Sequence, residues 1–141
     1  KYKCHLKKLL KLTGVDKKYV DFIKDSSFKI NDLTLNMQPT THTPKLQCFG
    51  IMFEDKEGKY YYTGDTNDIN YIKALCEDET VKKIYTEVAT ETYDVHIKYD
   101  DVVNLDKEKL VLMHFDTIDL YNKAREEGFK TACIKGSDND E

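Results

Sequence analysis

Residues 109–114, Lys-Leu-Val-Leu-Met-His, restrict this chain more than any other stretch. An almost fully apolar run of this kind reads as a strand buried on both faces. The pattern around it agrees. Residues 81–88 form another strand, and residues 67–77 carry Ile69, Ile72 and Leu75 at helical spacing behind Thr66 or Asn67 as a cap. Residues 116–127 read as a helix stopped by Gly128, residues 129–134 as a closing strand, and residues 99–105 as a short helix. Strand and helix alternate through this half, which predicts a layered α/β architecture.

The earlier half is strand-rich. Residues 48–54 and 59–63 make a hairpin around Asp55-Lys56-Glu57-Gly58. Phe28, Ile30, Leu33, Leu35 and Met37 alternate in two strand pieces about Asn31-Asp32, and Pro39 ends the run. Leu6, Leu9, Leu10 and Leu12 stand at near-helical spacing in residues 4–13 ahead of Gly14, with a further helical turn over 17–24. Residues 136–141 are an acidic tail expected to be disordered. No repeat or linker divides the chain, so one domain over 1–135 is expected, and 141 residues with 40% hydrophobic content suffice for a core.

Composition narrows the function classes. Charged residues make up 34% of the chain but are mixed in sign, and a net charge of −4 offers no general field for nucleic acid. No apolar run approaches the roughly 20 residues that span a bilayer, so no membrane segment is expected. Cys4, Cys48, Cys76 and Cys133 are scattered with no CxxC pair, which argues against a zinc finger and for reduced thiols in a cytoplasmic protein. Lys1 stands where an initiator methionine would, so a processed, cleaved or trimmed chain is expected.

The chemistry-bearing residues share one position in this pattern. His42 lies in the loop Thr40-Thr41-His42-Thr43-Pro44 after a strand; Tyr60-Tyr61-Tyr62-Thr63 runs as a strand into Gly64-Asp65-Thr66; Glu87 lies near the end of a strand and His114 ends one. In open α/β sheets ligands bind outside the carboxyl ends of strands, so these residues could converge on one edge. Imidazoles and carboxylates are the ligand set for zinc or a similar divalent ion, and a carboxylate can bridge two cations ~3.5–4 Å apart. Plainer readings exist for each. Asp65 could cap the next helix, His114 could be a satisfied core histidine, His96 could be a surface group beside Lys98 and Tyr99, and His5 reads as a solvated side chain. His42 between threonines ahead of Pro44 has no evident packing role.

Thr41-His42-Thr43-Pro44, then Tyr61-Tyr62-Thr63-Gly64-Asp65-Thr66, then Leu110-Val111-Leu112-Met113-His114-Phe115 together resemble the metallo-β-lactamase superfamily. The resemblance implies a layered αββα sandwich of which this chain is the carboxyl-terminal half only. It also implies that His42 ligates a first metal, Asp65 bridges, and His114 ligates a second. Tyr85-Thr86-Glu87-Val88-Ala89 followed by His96 is similar to the ribonuclease Z and phosphodiesterase branch, although Asp94-Val95-His96-Ile97-Lys98 lacks the threonine that often follows that histidine. By that similarity His96 would donate a proton to the leaving group or contact a phosphate, with Glu87 orienting it.

One signature is absent. The family's His-x-His-x-Asp-His should precede His42, and nothing in residues 1–41 matches it. The expectation is therefore a metal-dependent hydrolase, acting on phosphodiesters (RNA or a cyclic nucleotide) by metal-activated hydroxide, present as a fragment and inactive alone. Two zinc ions per complete site are implied, with manganese or iron as substitutes. The partner would be the missing amino-terminal half or a second copy in a homo-oligomer, since bare sheet edges tend to pair. The alternative is a non-catalytic half-domain acting as an interaction or structural module.

Overall fold

Hairpins build the first half of the sheet and helical crossovers the second. A computed structural model describes residues 8–16, 18, 20, 25–91 and 94–132. Residues 8–12 are helical (α1). There follow β1 (Ser27–Ile30), β2 (Leu33–Thr40), β3 (Cys48–Asp55), β4 (Gly58–Tyr62), α2 (Ile69–Glu77), β5 (Val81–Glu87), α3 (Tyr99–Val102), β6 (Leu110–Met113), α4 (Ile118–Glu126) and β7 (Lys130–Thr131). The seven strands form one sheet in sequence order.

Turn chemistry sets the antiparallel part. Asn31, at φ 54°, makes the left-handed turn between β1 and β2 that asparagine tolerates. Between β3 and β4 the Asp55 carboxylate accepts from the Glu57 and Gly58 amides at 2.7 and 3.1 Å, closing a tight turn. From β4 onward pairing is parallel, β4 to β5 to β6 to β7. Parallel neighbours need a crossover, and α2, α3 and α4 stand in these connections. Because β2 and β4 are both antiparallel to β3, β2 runs in the same direction as β4. The carboxyl ends of β2, β4, β5, β6 and β7 therefore lie along one edge of the sheet.

One face of the sheet carries the core. Tyr61, Ile84, Leu110 and Leu112 pack with Ile72 and Leu75 of α2, Tyr99 and Val102 of α3, and Leu120 and Ala124 of α4. A helix layer on a mixed sheet is the layered α/β class that the alternation of elements predicts. The opposite face is different. Leu35, Ile51, Phe53, Tyr62 and Tyr85 line an apolar hollow of about 340 Å³ there, and Phe49 and Tyr62 are each 39% exposed. Phe53 stacks on Tyr60 at 5.5 Å and on Tyr85 at 6.5 Å.

That asymmetry corrects the reading of residues 109–114. β6 alternates, with Leu110 and Leu112 buried and Val111 and Met113 only half-buried. The strand is apolar throughout, but the three helices cover one face of it. Pro39 does not end β2; it pairs with Phe49 inside the strand. Among the described residues β1 pairs no further along β2 than Asn36, which leaves Pro39 without a strand on that side, where a missing amide is tolerated. The cap of α2 is Asp68, whose carboxylate accepts from the Tyr71 amide at 3.0 Å, and not Thr66 or Asn67. The short helix stops at Val102 rather than at residue 105. Cys48 and Cys76 are free thiols. Cys4, His5, Cys133, most of the turn over 17–24, the end of the strand over 129–134 and the acidic tail lie outside the described residues. No described helix is long and apolar enough to cross a membrane.

Candidate metal centre

Glu87 is the hub of the strand-end edge. It is the last residue of β5 and only 2% exposed. Burial pushes its carboxyl above the ordinary range, opposed by two donors: the Thr66 amide and His96. Its Oε1 accepts from the Thr66 amide at 2.6 Å and its Oε2 from His96 Nδ1 at 2.7 Å. His114 Nδ1 stands 3.4 Å from the same Oε2.

Each partner is delivered by a sharp change of direction at a strand end. After β4 the chain turns at Gly64, in the left-handed region at φ 62°, and Thr63 ties the turn by donating to the Gly64 carbonyl at 2.6 Å. A side chain at position 64 would meet that conformational penalty and the Phe49 carbonyl at 3.0 Å. The turn brings Asp65 Oδ1 within 3.1 Å of His114 Nδ1. His114 itself follows β6 with φ 51°, an uncommon backbone state for histidine and one held by its surroundings. Asp116, two residues on, accepts from the Thr90 amide at 2.9 Å and the Thr90 hydroxyl at 3.1 Å. That clamp fastens the loop carrying His114 to the loop after β5.

His42 arrives from β2 and meets the same group. Its Nδ1 lies 2.6 Å from the Val95 carbonyl. A carbonyl only accepts, so Nδ1 carries the proton and Nε2 is left with a lone pair. Orienting a ligand imidazole through its other nitrogen is the arrangement found around bound metals. The His42 and His96 rings lie 4.9 Å apart, and those of His96 and His114 6.2 Å apart.

Two sets of donors result. His42, Glu87 and His96 form one and Asp65, Glu87 and His114 the other, with ligand atoms in each set within 4.8 Å of one another. Mixed imidazole and carboxylate donors at this spacing fit a divalent metal, and the residues present suit the group. All five residues singled out in the sequence are thus brought together. The sequence reading had Glu87 both as a candidate donor at a strand end and, by resemblance, as the orienter of His96; the fold places it in both donor sets. The Val95 carbonyl and Asp116 went unnoticed. A backbone acceptor has no sequence signature, and Asp116 read only as the start of a helix. A cavity of about 470 Å³ opens beside the group, lined among others by Glu87, Thr90, Glu91, His96, His114 and Asp116.

Several solved structures have a similar shape. The metallo-β-lactamase fold protein YhfI of Bacillus subtilis superposes with a TM-score of 0.58 at 17% identity, over 80% of this chain and 51% of that one. A possible metal-dependent hydrolase of Veillonella parvula gives 0.59 at 20% identity, over 94% of this chain and 62% of that one. A metallo hydrolase of the archaeon Ignicoccus hospitalis gives 0.54 at 14% identity, over 90% of this chain and 68% of that one. The chain thus spans about half to two-thirds of the length of these structures. The fold is of the metallo-β-lactamase type. Among curated proteins none matches the chain. The sequence profile of the anti-Pycsar protein Apyc1 family matches residues 3–137, and the chain belongs to that family.

Proposed function

We propose that this chain supplies the carboxyl-terminal half of a dinuclear metal-dependent hydrolase acting on phosphodiesters, RNA or a cyclic nucleotide. The observation that carries the proposal is the Glu87–His96 pair at 2.7 Å, set among the donors His42, Asp65 and His114. In this reading His42 would hold the first ion, Asp65 would be shared between the two and His114 would hold the second. Zinc is the proposed metal, with manganese or iron as substitutes. The ions would acidify bound water and neutralise charge developing on the phosphoryl oxygens. Glu87 accepts from His96 Nδ1 and so turns Nε2 outward, toward a leaving-group oxygen that needs a proton. Buried Glu87 is itself kept in place by the Thr66 amide, so the donor geometry is set before substrate arrives. Membership of the anti-Pycsar family makes opposition to Pycsar the biological setting proposed for this hydrolysis. A cytoplasmic location belongs to the same proposal.

A complete site needs donors this chain lacks, since residues 1–41 contain no His-x-His-x-Asp-His. The uncovered apolar face, with Phe49 and Tyr62 each 39% exposed, supports a partner there: the remaining half of the domain or a second copy. The same face, and the share of its neighbours that the chain spans, favour a second reading, a non-catalytic interaction module. Metal content per chain after gel filtration, together with turnover of bis(p-nitrophenyl) phosphate, separates the two. Two ions per site and turnover in the assembled protein are expected. An assembled protein that holds no metal and leaves the phosphodiester intact would establish the module instead.

A further inference from the structure

Asn67 joins three loops that each carry a member of the candidate centre. Its backbone amide donates to the Thr41 carbonyl at 2.8 Å. Its side-chain oxygen accepts from the Thr41 hydroxyl at 2.7 Å. Its side-chain nitrogen donates to the Asp94 carbonyl at 2.6 Å. The amide orientation follows from the partners, because a carbonyl can only accept and must face the –NH₂. Thr41 precedes His42, Asn67 follows Asp65 by two residues, and Asp94 precedes His96 by two. The Asp94 peptide also matters for His42. Asp94 takes a left-handed φ of 60°, and the next carbonyl, that of Val95, is the one that accepts from His42 Nδ1 at 2.6 Å. Asn67 therefore holds both the loop that bears His42 and the loop that bears its acceptor.

We propose that Asn67 is a positioning residue that sets the tautomer and aim of His42 by fixing residues 94–96 against residues 41–42. The sequence reading offered Thr66 or Asn67 as the helix cap, but Asp68 fills that role and leaves the Asn67 side chain to the loops. Its functional meaning rests on the metallo-hydrolase reading above; its structural claim does not. With the staple intact, His42 is protonated at Nδ1 and offers Nε2 to a metal. With it cut, the Val95 carbonyl drifts from His42 and the ring relaxes toward the Nε2–H form that an unconstrained histidine side chain favours.

The test uses the whole chain without metal, at pH 8, with the histidine tautomers read from long-range ¹H–¹⁵N NMR. In the parent chain His42 is expected as the Nδ1–H tautomer. Asn67→Ala should convert it largely to Nε2–H while the His114 signals stay in place. Asn67→Asp is the second variant, because it keeps the acceptor for the Thr41 hydroxyl and replaces the donor to Asp94 by a charged carboxylate oxygen that repels that carbonyl; it should give the same conversion even if Asn67→Ala unfolds. Zinc titration of the assembled protein adds a functional arm, in which loss of such an outer support weakens affinity by about 10–100-fold. An unchanged His42 tautomer in folded Asn67→Asp overturns the proposal, whatever the metal data show. Conversion of the tautomer in a protein that binds no metal upholds the positioning role and removes the hydrolase reading instead.

Discussion

At position 50 a side chain has no room. A Cβ on Gly50 would lie 2.6 Å from the Tyr61 hydroxyl and 2.7 Å from the Tyr62 carbonyl. The backbone oxygen cannot swing away, so Gly50→Ala should cost about 1–3 kcal/mol, read as a lowered urea midpoint. A midpoint equal to that of the parent would show that β3 and β4 can separate without penalty. His96 carries a prediction of a different kind. Its ring rests on Glu87 at 2.7 Å and is 27% exposed, placed to move a proton. His96→Ala in the assembled, metal-loaded protein should lower turnover roughly 10²–10⁴-fold with metal content unchanged. Loss of an ion with the ring would make His96 a ligand, as its place in one donor set allows. In the sequence, Asp65 and His114 stood out because each lies at the end of a strand pattern, and His42 because a histidine between threonines ahead of Pro44 has no evident packing role. Glu87 stood out less, since its weight comes from burial and from partners far along the chain.

Helices α2 and α4 begin just past two of the site residues, and their caps fix where those residues point. Asp68 caps α2 three residues after Asp65, through the Tyr71 amide at 3.0 Å. Thr117 caps α4 three residues after His114, through the Leu120 amide at 3.2 Å. Asp68→Ala should lower the stability of the chain by about 0.5–2 kcal/mol in equilibrium denaturation. If Asn67 or Thr66 were the working cap, the same substitution would leave the denaturation curve in place. α4 is further favoured by Asp119 in its first turn and Lys123 and Arg125 in its last, each matched to the helix dipole. Element type was readable because periods of 2 and 3.6 residues differ. The identity of the cap was not, because Thr66, Asn67 and Asp68 are all competent caps in a row, and contacts outside the helix decide which one is free for the task.

Alkali tests the molecule as a whole. The Tyr61 and Tyr99 phenols are held well above their ordinary pKa, in both cases chiefly by burial, and Tyr99 also donates to Glu127 at 2.9 Å. In the unfolded chain both ionise near pH 10, whereas the folded chain retains their protons, so it binds more protons in that range. Their contribution to stability is complete below about pH 10 and declines as pH rises beyond it. The urea midpoint should therefore fall between pH 8.5 and pH 10.5, and fall less in Tyr99→Phe. A flat profile in the parent would mean that these phenols are not held in the core. By itself the sequence determined the alternation of strands and helices and the order of metal-type residues, both local properties of side chains. It also carried the absence of the upstream histidine motif. Only the tertiary structure decided that β2 and β4 run the same way, which puts His42 on the edge that holds Asp65 and His114. Only the tertiary structure left apolar residues of one sheet face partly exposed among the described residues, buried Glu87 between two imidazoles and turned the Val95 carbonyl onto His42. Burial and backbone acceptors bring together residues as far apart as His42 and Val95, 53 positions along the chain, and no local pattern encodes them.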